Sequence, residues 1–133
     1  MLFGEKHVRT YEESAGEEGY DWNGAPILIL TTRGRRSGEE RKNALIFQEH
    51  DGDYLIVASR GGSDQPPAWY LNLSADPDVT VQVKADRFKA TARTASPDEK
   101  RALWSKMTAV WPDYDTYQTK TSRDIPIVVL ERA

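Results

Sequence analysis

Blocks of apolar residues separated by short polar turns dominate the chain and predict mainly β-structure. Residues 27–30 form an apolar run, so residues 25–32 are predicted to be a buried strand, whereas residues 79–83 alternate between apolar and polar, typical of a strand with one buried face. The pair Asp51-Gly52 is a strong hairpin signal, so the first three strands are predicted to form an antiparallel meander. The predicted strands are residues 25–32, 41–49, 53–59, 79–83, 88–94 and 127–130.

Three helices are predicted between these strands. Residues 68–75 follow two prolines, which suit a helix start. Ser96 and Glu99 form a capping box, with a proline between them, for a helix that runs to about residue 110. Residues 114–121 are predicted to form a third, short helix.

The chain is predicted to be an α+β protein with a short polar extension ahead of its domain. Residues 7–24 are rich in glutamate and glycine and are expected to be a loose arm or a short frayed helix, so residues 1–24 are assigned to an N-terminal arm. Residues 25–133 form the domain. Its short hairpin connections favour an antiparallel sheet or barrel with helices packed on it.

Composition narrows the function. With 133 residues, 38% hydrophobic and 29% charged, the chain suits one soluble domain. No apolar run approaches the ~20 residues of a membrane-spanning helix, and no signal-peptide pattern precedes residue 13, which suits a cytoplasmic location. The lack of cysteine excludes disulfides and thiolate sites, and the two distant histidines predict no metal centre. A pI near 5.4 argues against nucleic acid as a partner.

A cluster of arginines lies in the turn between the first two predicted strands. Residues 31–41 hold four arginines and two glycines, although the net charge of the chain is -3. Arginine matches phosphate and carboxylate geometry, and glycine lets the backbone approach a ligand. The alternative is a solvated hairpin tip. A second strand also ends in a basic glycine loop, residues 59–62 (Ser-Arg-Gly-Gly), and this repetition favours one convergent anion site.

The chemistry is expected to come from a cofactor. The sequence shows no catalytic triad, paired carboxylates, P-loop or dinucleotide fingerprint. If the protein is an enzyme, its reactive group is therefore expected to belong to a cofactor. Tyr114 and Tyr117 lie three residues apart on one predicted helix face, where they either pack in the core or form the wall of a binding cleft.

Five motifs in order resemble the deazaflavin-dependent nitroreductase family, actinobacterial reductases that use coenzyme F420. The resemblance covers nearly the whole of residues 25–131. It is carried by LTTRGRRSG (residues 30–38), ASRGG (58–62), PAWYLNL (67–73) with ADP (75–77), YDTYQ (114–118), and RDIPIVVL (123–130).

The resemblance implies a split β-barrel related to the folds that bind flavin mononucleotide. It implies hydride transfer from reduced F420, an 8-hydroxy-5-deazaflavin, to a quinone, an enone or a nitro compound. Two other interpretations stay open at this point: a non-catalytic F420 carrier protein, and a split-barrel reductase that binds flavin mononucleotide. The chain is expected to be a monomer or a homodimer, with peripheral membrane contact as a further hypothesis.

The resemblance also assigns roles to individual residues. Ser59 or Tyr117 is expected to hydrogen-bond the developing oxyanion of the acceptor during catalysis. The expected acceptor-binding residues are Ile46, Ser59, Trp69, Tyr114 and Tyr117. The expected cofactor-binding residues are Arg35, Arg36, Ser37, Arg41, Ala44, Ala58, Ser59, Arg60, Gly61, Ala68 and Asn72, of which Arg35, Arg36 and Arg41 hold the phosphate and the oligoglutamate tail.

Two departures from the family pattern affect the expected specificity. Arg36 replaces a common lysine and therefore binds anions through a bidentate fork instead of a point charge. Ile46 stands where the best-known nitroimidazole-activating member has a tyrosine. Loss of that phenol favours quinone or enone reduction over activation of nitro prodrugs.

Overall fold

The computed structural model describes residues 4–133, in which eight antiparallel strands form a curled sheet. The strands follow one another in space in the order β1-β2-β6-β7-β8-β5-β4, and β3 pairs with β2 beside this path. The strands are β1 (Asp21–Trp22), β2 (Ala25–Arg33), β3 (Glu40–Ile46), β4 (Gln48–His50), β5 (Asp53–Val57), β6 (Asp78–Val83), β7 (Asp86–Thr94) and β8 (Ile127–Arg132).

The core lies inside the curl of the sheet. The predicted apolar run of β2 is a strand whose residues 27–30 are all buried. On β7, buried and exposed residues alternate, so this strand presents one face to the core and the other to solvent. Aromatic side chains add to the packing, since Tyr54 lies between Phe47 and Phe88 with ring centroids 5.7 and 5.3 Å away.

The predicted meander is confirmed except at its middle strand. The predicted strand 41–49 is broken at Phe47 into β3, which pairs with β2, and β4, which pairs with β5 across the Asp51-Gly52 turn. The break has a physical cause: Phe47 is buried in the core and its backbone N–H donates to the carbonyl of Pro26. One chain segment therefore serves two parts of the sheet.

Three predicted helices are present. They are α2 (Ala68–Ala75), α3 (Pro97–Val110) and α4 (Asp113–Thr119). The capping box is formed as expected, because the hydroxyl of Ser96 accepts from the backbone N–H of Glu99 and the Glu99 carboxylate accepts from the N–H of Ser96. Helix α3 packs through Leu103 and Met107 on the outer side of the sheet.

Of the two expectations for residues 7–24, a loose arm or a short frayed helix, the structure shows a helix over the first part of this segment; residues 1–3 lie outside the part of the chain that it describes. Gly4–Ser14 form α1, an 11-residue helix whose buried face holds His7, Val8 and Tyr11. The Tyr11 hydroxyl donates to the carbonyl of Ile27 at 2.9 Å and accepts from the N–H of Lys84 at 2.6 Å. These two hydrogen bonds attach α1 to the sheet, because one phenol binds the start of β2 and the residue that follows β6.

Candidate functional site

The largest cavity is a groove of about 1280 Å³ beside the arginine turn. Its walls come from α1, β3, the start of α2 and the two basic glycine loops. Six basic and three acidic side chains line it, in a chain with a net charge of -3. This surplus of positive charge makes the groove suitable for an anion. The basic residues are Arg9, Arg35, Arg36, Arg41, Lys42 and Arg60.

A buried amide holds the arginine turn in place. Asn72 is 4% exposed, and its Oδ1 accepts from the backbone N–H of Arg35 at 3.2 Å and from the Arg35 guanidinium at 3.0 Å. Its Nδ2 donates to the hydroxyl of Thr32 at 3.3 Å. Asn72, predicted to line the cofactor site, lies in the groove wall and orients the turn.

The turn itself is tight, and its start leaves little room for a side chain. The N–H of Gly34 donates to the carbonyl of Glu39 at 2.7 Å, and a Cβ at Gly34 would lie 2.9 Å from the Ser37 hydroxyl. That hydroxyl accepts from the N–H of Glu39 at 3.1 Å. Ser37 thus shapes the turn from inside and reaches the groove from the same position.

The arginines of the groove form few strong ion pairs with carboxylates of the protein. Arg41 lies 3.5 Å from Glu39, but both side chains are more than half exposed, and such pairs contribute little. Arg36 and Arg60 pair with no carboxylate among residues 4–133. The negative charge of Glu12 is neutralised, because its carboxylate forms ion pairs with Lys42 at 2.7 Å and with Arg87 at 3.1 Å.

A smaller cavity of about 320 Å³ adjoins this groove and is rich in aromatic side chains. The two cavities share lining residues, among them Ala44, Arg60 and Trp69, so they form one continuous site. Trp22 and Trp111 form a pair on the wall of the small cavity, with ring centroids 5.1 Å apart and ring planes tilted by 37°. A flat apolar molecule suits such a wall.

Three hydroxyl groups give this aromatic cavity its polar chemistry. The Tyr117 hydroxyl accepts from the Trp111 indole N–H at 3.3 Å. Ser59 is 8% exposed, and its hydroxyl has no hydrogen-bond partner within the described chain. Burial, followed by the neighbouring Tyr117, raises the pKa of Tyr114 above its ordinary value of 10.0, so this phenol keeps its proton.

The loop that carries Ser59 has an unusual backbone. Arg60, Gly61 and Gly62 all have positive φ angles, of 45°, 63° and 86°. A left-handed conformation costs about 1–3 kcal/mol for a residue with a side chain, so Arg60 is strained. A Cβ at Gly62 would lie 2.7 Å from the carbonyl oxygen of Tyr117, and glycine is therefore required where α4 contacts the loop.

The structure brings most of the predicted site residues together. Ala58 is the exception: it is fully buried in the core and lines neither cavity, because the chain alternates and directs Ser59 to the cavity instead. The groove is lined by Arg35, Arg36, Ser37, Arg41, Ala44, Arg60, Ala68, Trp69 and Asn72. The small cavity is lined by Ala44, Ile46, Ser59, Arg60, Gly61, Trp69, Tyr114 and Tyr117.

Sequence reasoning missed the part of the wall that α1 supplies. Val8 and Arg9 line the groove, and His7 lines the small cavity. The signal that could have found them is the spacing of Val8 and Tyr11, which places two apolar side chains on one helix face. The Trp22–Trp111 pair was missed because its members are far apart in sequence and meet only in the fold.

Comparison with known proteins identifies the class and then the family. The curled antiparallel sheet with packed helices is a split β-barrel, and the solved structure of the F420-H2 dependent reductase FDR-A superposes with a TM-score of 0.74. That structure is 39% identical and covers 80% of this chain and 94% of its own. Residues 4–132 match the model of the F420H(2)-dependent quinone reductase family, and the chain belongs to this family.

Two further proteins are similar to this chain over most of its length. The F420H(2)-dependent quinone reductase Rv1261c of Mycobacterium tuberculosis is 38% identical over 130 residues, which is 95% of this chain and 87% of that protein. A solved structure described as a domain-swapped dimer is 36% identical with a TM-score of 0.77, and the match covers 93% of this chain and 96% of that one. The predicted family, enzyme class and cofactor are confirmed, and the protein is an oxidoreductase that uses F420.

The residues of the groove fit this cofactor. F420 carries a phosphate and an oligoglutamate tail, and the groove offers arginines without carboxylate partners beside a turn held open by Asn72. Residues 4–133 contain no group of three His, Asp or Glu side chains placed to bind a metal. No helix in this same range is long and apolar enough to cross a membrane.

Proposed function

We propose that this protein reduces quinones with F420H2 at the junction of the two cavities. The observation that carries the proposal is their continuity, because Ala44, Arg60 and Trp69 belong to both walls. The cationic groove would hold the anionic part of the cofactor, with Arg36 and Arg41 as its main ligands. The aromatic cavity would hold the acceptor.

Reduced F420 supplies a hydride when bound. The contribution of the chain is to hold the acceptor and to stabilise the charge that develops on its oxygen. Since the indole N–H of Trp111 can only donate, the Tyr117 oxygen accepts in that bond and the tyrosine proton is left to point elsewhere. We assign Tyr117 and Ser59 as the two donors to the acceptor oxygen.

The lining of the small cavity supports a quinone as the preferred acceptor. Its walls are flat aromatic rings, which suit a planar ring, and its hydroxyls suit a carbonyl oxygen. Ile46 adds an apolar side chain with no donor for a nitro group. Enones share the carbonyl and are proposed as weaker acceptors, and nitro compounds as the weakest.

An anaerobic assay with F420H2 and a panel of quinones, enones and nitro compounds tests this proposal. We expect the absorbance of oxidised F420 to recover fastest with menadione and related quinones. Flavin mononucleotide in place of F420 is the control for the alternative split-barrel chemistry. F420 binding without turnover of any acceptor would instead support a carrier protein.

Two features of assembly are proposed on weaker support. A homodimer is supported by the similar chain described as a domain-swapped dimer. Peripheral membrane contact has little apolar surface to use, because Leu71, at 36%, is the one large hydrophobic side chain that is exposed in the described part of the chain. Light scattering and flotation with lipid vesicles test the two features separately.

A further inference from the structure

Arg123 lies behind the acceptor cavity and contacts the loop that carries Ser59. Its Nε donates to the carbonyl of Ser63 at 2.8 Å. One terminal nitrogen donates to the carbonyls of Ser59 at 2.9 Å and Ala58 at 3.2 Å. No carboxylate pairs with this guanidinium among residues 4–133. Its charge is directed at three backbone oxygens on both sides of the strained turn.

The turn between these oxygens is closed by two backbone bonds of its own, from the N–H of Gly62 to the carbonyl of Ser59 at 3.0 Å and from the N–H of Ser63 to the carbonyl of Arg60 at 3.2 Å. Strand β5 ends at Val57, and after the bond from the N–H of Ala58 to the carbonyl of Pro126 the chain leaves the sheet. Arg60 then takes its left-handed conformation. A strained backbone persists only where its surroundings hold it, and the guanidinium of Arg123 holds both ends of this one.

The same residue is joined to α4, which carries Tyr117. The Gln118 side chain donates to the backbone carbonyl of Arg123 at 2.8 Å and accepts from the N–H of Ile125 at 3.0 Å. Tyr117 in turn lies against Gly62, where no Cβ would fit. The loop that carries Ser59 and the helix that carries Tyr117 are therefore both connected to Arg123.

We propose that Arg123 is a positioning residue for acceptor reduction: it sets the distance between Ser59 and Tyr117 without touching either substrate. This inference rests on the proposed function, because it assumes that the acceptor binds between these hydroxyls. A lysine carries the same charge on one nitrogen and cannot reproduce the fork that spans three carbonyls. Anions in the groove are held chiefly from the arginine turn, which Arg123 does not contact.

Steady-state kinetics of Arg123→Lys with menadione test the proposal. We expect kcat/KM for the quinone to fall about tenfold or more, since small errors of position are costly in catalysis, while the Kd for F420 changes less than about threefold. Arg101→Lys is the matched control, because Arg101 is exposed on α3 and should leave both values unchanged. Methylguanidinium should restore part of the activity of Arg123→Ala.

A second variant covers the case in which Arg123 variants do not fold. Gln118→Glu has the same shape and keeps the acceptor for Ile125, but it loses the donor to the Arg123 carbonyl. We expect a smaller fall in kcat/KM, about threefold, again with F420 affinity preserved. Unchanged kcat/KM in all these variants, or a parallel loss of F420 affinity, would overturn the proposal. A wild-type protein that reduces no quinone would overturn the proposed function and this inference together.

Discussion

The two cavities of the site differ in how their side chains are held. In the groove, Arg41 is 56% exposed and its one ion pair is weak. In the acceptor cavity, Ser59 and Tyr114 are 8% and 5% exposed and the backbone around them is tied by Arg123 and Gly62. Exposed charges suit the binding of a long flexible anion, whereas buried hydroxyls suit the placement of one reacting oxygen. The comparison predicts that binding and catalysis can be damaged separately.

The largest expected effect is on cofactor binding. Replacing both Arg36 and Arg41 by alanine should raise the Kd for F420 by at least about a hundredfold, because it removes two charge-assisted contacts of about 1.5–3 kcal/mol each. Isothermal titration calorimetry measures the change. Raising the salt concentration should weaken wild-type binding in the same direction, since the groove is open to solvent.

A variant with the same loss of charge elsewhere is the control for this experiment. Lys89→Ala with Arg101→Ala removes two exposed cations that lie in neither cavity. Its F420 affinity should match that of the wild type. Equal weakening in both double variants would mean that net charge, and not the groove, determines binding.

The second effect is on catalysis alone. Tyr117→Phe removes the proposed donor to the acceptor oxygen and should lower kcat/KM for menadione about thirtyfold, with the Kd for F420 unchanged. Stopped-flow reduction and calorimetry together give the two values. A variant that loses F420 affinity and keeps its quinone kinetics would reassign this phenol to the cofactor.

The smallest effect concerns stability at high pH. Burial raises the pKa of Tyr114, so below pH 10 its contribution to stability is fully present; above pH 10 the unfolded chain releases this proton while the folded chain keeps it. The free energy of unfolding should therefore fall by up to about 1.4 kcal/mol per pH unit from this group. Urea denaturation at pH 9 and 11 should show a shallower fall in Tyr114→Phe.

The measurement at pH 9 is the reference for the measurement at pH 11. At pH 9 the difference between wild type and Tyr114→Phe reports the loss of the hydroxyl alone, and the further change at pH 11 reports the proton. An identical pH slope in both proteins would show that this wall of the acceptor cavity is wetter than its 5% exposure indicates.

Features encoded by local patterns could be predicted from the sequence. The apolar run of β2, the capping box at Ser96 and the bounds of α2 all depend on neighbouring residues, and each matches the structure. The groove was also foreseen, because four arginines in one short turn must lie close together whatever the fold.

Features that depend on distant contacts could not be predicted in the same way. For the segment of α1, a loose arm and a frayed helix stayed open, because the bond from Tyr11 to Ile27 that anchors the helix joins residues 16 positions apart. The strand breaks at Phe47 because the side chain of this residue is buried in the core. Ala58 was assigned to the cofactor by resemblance, although strand alternation places it in the core.

The break at Phe47 has a consequence for protein engineering. Ile46 ends β3 on the cavity side and Phe47 turns into the core, so one position can vary while the next stays constant. A library of substitutions at Ile46 would sample acceptors of different size at little expense in folding, and the reductase offers a ready starting point for new substrates.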